Sequence, residues 1–546
     1  MDALRLNVDG LDYALLAIYF VTVLGIGWIV RKSVRTTEDF FLSGRSLPAW
    51  VTGLAFVSAN LGATEVLGQA ANGAEYGVMT VHYYWVGAVP AMVFLAVFMM
   101  PFYYGTKVGS VPEFVGRRFN APAQVLSSIT FAVAQILIAG INLYALALVV
   151  EAMLGWPQWV AIIVAGAFVL AYITLGGLSS AIYNEVLQFF VIIVALIPVV
   201  ALALDHIGGI SGLKRGINHT VLGNPGLHAW RNTGFGSHNP MEASWLGIIL
   251  GLGFVLGFGY WTTNFAEIQR ALSANNMSAA RRTPIIAAFP KLLLPAITVL
   301  PGMIALILVK GLGTTYQYND AIPLLIRDFL PNGVLGLALT GLLASFMAGM
   351  AANVSAFNTV LTTDLWRPYI TKDRPDAYYL RLGRLFTVVG VVLGVGTAFL
   401  AAGFSNLMNY MQSLFSFFNA PLFAVFIIGL LWKRMGGWAG FWSLLMGTVG
   451  AIVAYILYET GAVNMGSAIN STFIIAIVAF VTALVTAVIV TLITAPPDVA
   501  KLAGYVWGTQ PIKGGYFSIE GGWYRSPAIL GAIVVLIGIG LDILVF

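Results

Sequence analysis

The sequence predicts an all-α polytopic membrane protein with about fourteen transmembrane helices. Three observations carry this. Apolar residues make up 59% of the 546-residue chain and charged ones only 9%, against about 25% charged in a typical soluble domain. The apolar residues fall in runs of roughly 20, the length of a helix that crosses a bilayer, and not in the short alternating segments of a β-barrel. Lys and Arg cluster in every second short loop, as cytoplasmic loops do.

In chain order the spans lie near 11–30, 47–72, 80–104, 123–153, 159–176, 182–204, 244–270, 284–310, 333–363, 383–402, 407–431, 437–458, 470–494 and 526–545. Arg31, Lys32, Arg35 and Arg45 follow the first span. Lys107, Arg117 and Arg118 follow the third, and Arg270, Arg281 and Arg282 the seventh. Arg367, Lys372, Arg374 and Arg381 follow the ninth, and Lys433 and Arg434 the eleventh. The alternation puts these loops in the cytoplasm and both termini outside a cell membrane. The net charge of +5 is therefore a topology signal and gives no reason to expect nucleic acid. The chain has no Cys, which excludes disulfides, thiolate metal sites and Cys nucleophiles. The start, MDALRLNVDGLDYALLAIYF, lacks a basic n-region and a small-residue cleavage site and reads as a retained helix. The stretch near 495–525 has no globular pattern, so residues 1–546 read as a single membrane transport domain.

The informative places are the interruptions. Ser58, Asn60, Gly62, Ala63, Thr64 and Gly68 break the second span, and Glu65 lies among them. Gly251, Gly253, Gly257 and Gly259, followed by Tyr260-Trp261-Thr262-Thr263-Asn264, break the seventh. Backbone broken inside a bilayer survives only against protein or a water-lined cavity. These two spans open two blocks of five helices, 47–204 and 244–431, with 1–46 and 432–546 peripheral. Because five is odd, the second block enters from the opposite side. Paired glycine breaks at matching positions of inverted halves point to a transporter binding site.

Intramembrane charges are costly, so they are expected to be paired or solvated. Glu65 and Lys291 are natural partners, unless Lys291 reaches the interface with its long stem. Glu185, after the break Gly176-Gly177-Leu178-Ser179-Ser180, either faces a cavity or stabilises the positive end of its helix. The ninth span is lined with small and polar residues (Ser345, Ala348, Gly349, Ala352, Asn353, Ser355, Asn358), suited to tight packing or to an ion site. In the eleventh, Gln412 offers a donor and acceptors, and Pro421 should kink the helix. Tyr83, Tyr84, Tyr260 and Trp261 suit an interfacial belt or a lid over a ligand. No HExxH, Walker or GxSxG pattern is present, and nothing supports an enzyme.

TEDFFLSGRSLP at 37–48, SVPEFVGRRF at 110–119, YITLGGLSSAIYNEVLQ at 172–188, FGYWTTNFAEIQRALSA at 258–274 and PLFAVFIIGLLWKR at 421–434 together resemble the sodium/solute symporter family, most closely its bacterial sodium/sugar members. The resemblance implies a LeuT-like inverted repeat of five plus five helices and sodium as coupling ion, with no other cofactor. The implied cation donors are the backbone of Ser58 and Leu61 and the position of Ser345. Ala348 and Gly349 stand where the family usually has two hydroxyl residues, and Glu185 is the implied acid of the cation exit path. The implied solute residues are Asn60, Gln69, Tyr83, Tyr260, Trp261, Lys291 and Gln412. Three polar pocket positions depart from the family and are Glu65, Tyr84 and Gly257 here, and a serine position is Gly87. The expected activity is cation-coupled symport of a small polar solute, most simply a sugar, by alternating access. A proton-coupled or uncoupled carrier of an amino-bearing solute and a transporter-like sensor are the alternatives.

Overall fold

The structure is a computed structural model, described here for residues 6–30, 34–236, 238–509 and 522–545. Arg31 and Lys32 of the first basic loop lie outside the described residues. Among the described residues the chain is helical throughout, without a named strand. Among the described residues eleven helices are long and apolar enough to cross a membrane, or up to 13 if each of two bent pairs counts as one span.

The principal helices are α1 (Gly10–Val30), α2 (Ala49–Asn60), α3 (Thr64–Val81), α4 (Tyr83–Gly105), α5 (Ala121–Leu154), α6 (Gln158–Ala171), α7 (Gly177–His206), α8 (Gly247–Thr263), α9 (Phe265–Leu272), α10 (Met277–Leu308), α11 (Val334–Tyr369), α12 (Asp376–Ala401), α13 (Leu407–Leu431), α14 (Gly437–Glu459), α15 (Ala468–Ile493) and α16 (Pro527–Leu544). The expected breaks are present. The α2–α3 pair bends by 62° and the α8–α9 pair by 48°. Between α6 and α7 the chain turns at Gly177, whose φ is 55°. A Cβ there would lie 2.6 Å from the Phe40 ring and 2.8 Å from its carbonyl, so only glycine fits.

The centre of the bundle is α11, which packs on α2, on α5 and on the run of α6 and α7. Nearly all its residues between Leu335 and Thr359 are buried. Its Ala, Gly and Ser stripe allows that close approach, as small residues do between membrane helices. Around it, α10 packs on both halves of the first broken pair, and α4 packs on α8. The outer helices α1, α12, α14, α15 and α16 turn Ile18, Val21, Leu393, Ile452, Ile489 and Leu536 outward, apolar faces that need lipid around them.

Candidate functional site

The first break spans Leu61 to Ala63. Leu61 leaves the helix with ψ at 47°, and the freed Ala63 N–H donates to Asn142 Oδ1 at 2.8 Å. Gly62 is needed because a Cβ there would come within 2.5 Å of that oxygen. At the second break, Asn264 is extended with ψ at 107°. It caps α9 by accepting from the Ala266 N–H at 3.1 Å, and Gln135 Nε2 donates to its Oδ1 at 3.3 Å. Gln135 and Asn142 are seven residues apart on α5, two turns along one face. One helix thus satisfies backbone or caps at both interruptions, as a non-polar environment demands.

All nine expected solute residues line one cavity between the two broken pairs: Asn60, Glu65, Gln69, Tyr83, Tyr84, Tyr260, Trp261, Lys291 and Gln412. In this conformation the space open to a water-sized sphere is about 60 Å³, room for a few waters. Three stretches wound as π-helix, Thr64–Gly68, Tyr83–Ala88 and Gly247–Phe258, contribute much of the wall, and π turns commonly mark functional sites. Gly87 and Gly257 meet in this wall. A Cβ on Gly257 would lie 2.6 Å from the Gly87 carbonyl oxygen.

Lys291 does not reach an interface. Its ammonium donates to Glu65 Oε1 at 2.5 Å and to Asn60 Oδ1. It lies 5.0 Å from the Tyr84 ring centroid and 5.3 Å from that of Trp261, close enough for cation–π attraction. The rings are buried against the cavity and are not an interfacial belt. Trp261 stacks on Phe56 at 5.7 Å, and Tyr260 contacts Phe415 at 4.6 Å. Gln69 Oε1 and Gln412 Oε1 are buried and make no hydrogen bond among the described residues. Such atoms in a natural structure ask for a partner.

The expected cation residues divide. Ser345 Oγ donates to the Leu61 carbonyl at the break, and the Ser58 carbonyl accepts from the Leu61 N–H at 3.0 Å. Gly349 lies directly against the Asn142 amide and Gly62. Asn142 thus fills the space a side chain at 349 would occupy. Ala348 is buried on the same helix. Glu185 sits apart from these oxygens, fully buried in a fork-to-fork pair with Arg270. Neither capping of a helix nor an open cavity describes it. Sequence reasoning passed over Gln135, Asn142 and Glu267. Glu267 is 2% exposed and accepts from the Tyr260 hydroxyl at 2.8 Å. The available signals were the seven-residue spacing of the two amides and the seven-residue spacing of Tyr260 and Glu267.

The sodium:solute symporter family model matches residues 40–447, most of the chain. The sodium/glucose cotransporter of Vibrio parahaemolyticus is 29% identical over 453 residues, covering 80% of this chain and 83% of the relative. Sodium/glucose cotransporter 1 of Ovis aries is 28% identical over 553 residues, covering 92% and 81%. The fold matches that of a Na+-coupled sialic acid symporter in a substrate-bound outward-open state with a TM-score of 0.75, at 18% identity and covering 90% of this chain and 99% of that one. It matches more distantly that of Mhp1, a nucleobase-cation-symport-1 family transporter, with a TM-score of 0.53, at 14% identity and covering 85% and 97%. With the family model running from Phe40, in the short helix Thr37–Leu42 after α1, to Gly447 within α14, the chain belongs to the sodium:solute symporter family.

Proposed function

We propose that this protein couples the inward movement of sodium to uptake of a sugar by alternating access. The observation that carries the reading is the cavity. Two buried amide oxygens without partners, an ammonium, a carboxylate and several aromatic faces converge between two broken helices. A polyol can satisfy open acceptors with its hydroxyls and lay its C–H faces on Tyr and Trp. The related sodium/glucose cotransporters support sugar and sodium together.

In this reading Asn60, Glu65, Gln69, Tyr83, Tyr84, Tyr260, Trp261, Lys291 and Gln412 contact the solute. Sodium lies at the first break, held by the Ser58 and Leu61 carbonyls and the Ser345 hydroxyl, with only backbone offered by Ala348 and Gly349. Glu185 lies on the sodium path towards the cytoplasm. Residues 47–204 and 244–431 are inverted repeats, supported by a strong bend in the first span of each. Counting the short apolar helix α6 with the eleven long ones and the two bent pairs supports fourteen crossings. The basic loops at Arg45, Lys107 and Lys372 then face the cytoplasm of a plasma-membrane carrier, and both termini lie outside.

The test is uptake of labelled D-glucose and a panel of other sugars into proteoliposomes, with an inward sodium gradient or with choline replacing sodium. Accumulation that needs sodium is expected for at least one sugar. Equal uptake with and without sodium across the panel would overturn the reading.

A further inference from the structure

Glu267 stands outside the machinery described so far, although it is wired to it. The Lys291 ammonium donates to Asn60 Oδ1, so the other atom of that amide, Nδ2, is a donor, and it points at the Tyr260 oxygen at 3.0 Å. Tyr260 is thereby an acceptor on that side, and its single proton goes to Glu267 Oε1 at 2.8 Å. The polarity of the whole line, from Lys291 through Asn60 and Tyr260 to Glu267, is fixed by the ammonium at its head.

The charges along this line do not balance. Two cations, Lys291 and Arg270, face three carboxyls, Glu65, Glu185 and Glu267. Lys291 gives its bonds to Glu65 and Asn60. Arg270 gives Nε and Nη2 to Glu185, and Nη1 to the Ala266 carbonyl at 2.7 Å and to Gln269 Oε1 at 3.3 Å. Neither cation hydrogen-bonds Glu267, whose Oε2 is buried with no hydrogen-bond partner among the described residues. The charged residues on the other elements packed on α9 bond groups other than Glu267. Neither α2 nor α11 between Val334 and Thr359 carries an ionisable residue, the buried Asp364 further along α11 accepts from the Ser110 hydroxyl at 2.6 Å, and α5 brings Gln135. On α10, Arg282 bonds the Ser278 carbonyl and Arg281 the Ala96 carbonyl. In the short helix Thr37–Leu42, Glu38 pairs with Arg45 and Asp39 accepts from backbone amides. A buried carboxylate with no hydrogen-bonded cation and one open oxygen is costly.

We propose that Glu267 is a proton-binding site, taking a proton on Oε2 and releasing it from there. Protonation makes the cluster neutral. It also weakens Glu267 as acceptor for the Tyr260 hydroxyl, which lines the solute cavity. The consequence for transport rests on the symport reading above; proton binding itself does not. The test is therefore solute-free. Infrared difference spectra of the full-length protein in lipid are recorded on stepping from about pH 9 to about pH 5, a window covering shifted buried carboxyls. The wild type should gain a C=O band of a carboxylic acid shielded from deuterium exchange. Glu267→Gln should lose that band, and Glu267→Asp, which keeps the carboxyl, should restore it at a shifted frequency. A full band in Glu267→Gln, or no such band in the wild type, would overturn the proposal. A wild type that shows the band but no sodium-driven uptake of any sugar in the panel would refute the symport reading and leave the proton site standing.

Discussion

At the scale of single residues, two ion pairs are buried where water is scarce, and they serve different ends. Glu65–Lys291 borders the cavity, whereas Glu185–Arg270 is sealed on all sides. Removing one partner of a sealed pair strands a charge, at a cost of about 3–5 kcal/mol. Glu185→Ala should therefore lower the melting temperature of the purified protein sharply, and Glu185→Ala with Arg270→Leu should recover part of the loss. In the proposed site, Gln412→Ala removes one neutral contact to solute. It should raise the KM for the transported sugar several-fold, up to about tenfold, with little change in melting. The Glu65–Lys291 pair was legible in the sequence because either charge alone is too expensive in a bilayer. Glu185 was legible as an anomaly but not in its role. Its partner lies 85 residues away, and Arg270 read as a loop charge.

At the scale of elements, the breaks were legible because glycine and small polar residues interrupt apolar runs. What holds them was not. Gln135 and Asn142 look in the sequence like isolated polar residues in a long helix, and only the fold brings them to Asn264 and Ala63. Replacing Asn142 with Ala leaves the Ala63 N–H without its acceptor, a loss of about 1–3 kcal/mol. Lower thermal stability is expected, together with weaker sodium dependence of uptake, because the Leu61 carbonyl sits in the same break. Arg118 plays a comparable part at the end of α13. It donates to the carbonyls of Gly429 at 2.8 Å, Met435 at 3.0 Å and Trp432 at 3.2 Å. Burial brings its pKa down to about 10, still far above neutrality, so the cap stays charged. Arg118→Ala should fray that helix end, seen as faster amide exchange over 428–432.

At the scale of the whole molecule, the stretches that carried the family resemblance gather at one end. Gln269 Nε2 donates to the Phe41 carbonyl at 2.8 Å, the Asn275 N–H to the Leu47 carbonyl at 2.9 Å, and Arg45 to the Val108 carbonyl at 2.8 Å. Gly177 lies against Phe40, and Arg118 caps the helix that ends in Trp432-Lys433-Arg434. Segments from residues 37 to 434 are thus one assembly, which a linear reading finds only as separate motifs. The loop charges predict that this end faces the cytoplasm. Because the chain has no cysteine, single replacements report position directly. Val221→Cys, at an 88% exposed residue, should react with a membrane-impermeant maleimide in intact cells. Lys372→Cys should react only after the cells are opened, and the reverse pattern would invert the topology.

The meeting of Gly87 and Gly257 has a consequence for how this carrier can change in evolution. The two positions are not equivalent. A Cβ on Gly87 would meet nothing nearer than 3.5 Å, whereas one on Gly257 would strike the Gly87 main chain. A small hydroxyl side chain at 87 is therefore one mutational step away. A side chain at 257 must wait until α4 and α8 have separated, whatever residue stands at 87. Enlarging side chains in this wall therefore has an ordered route, in which position 87 can be filled first and position 257 only after the backbones part.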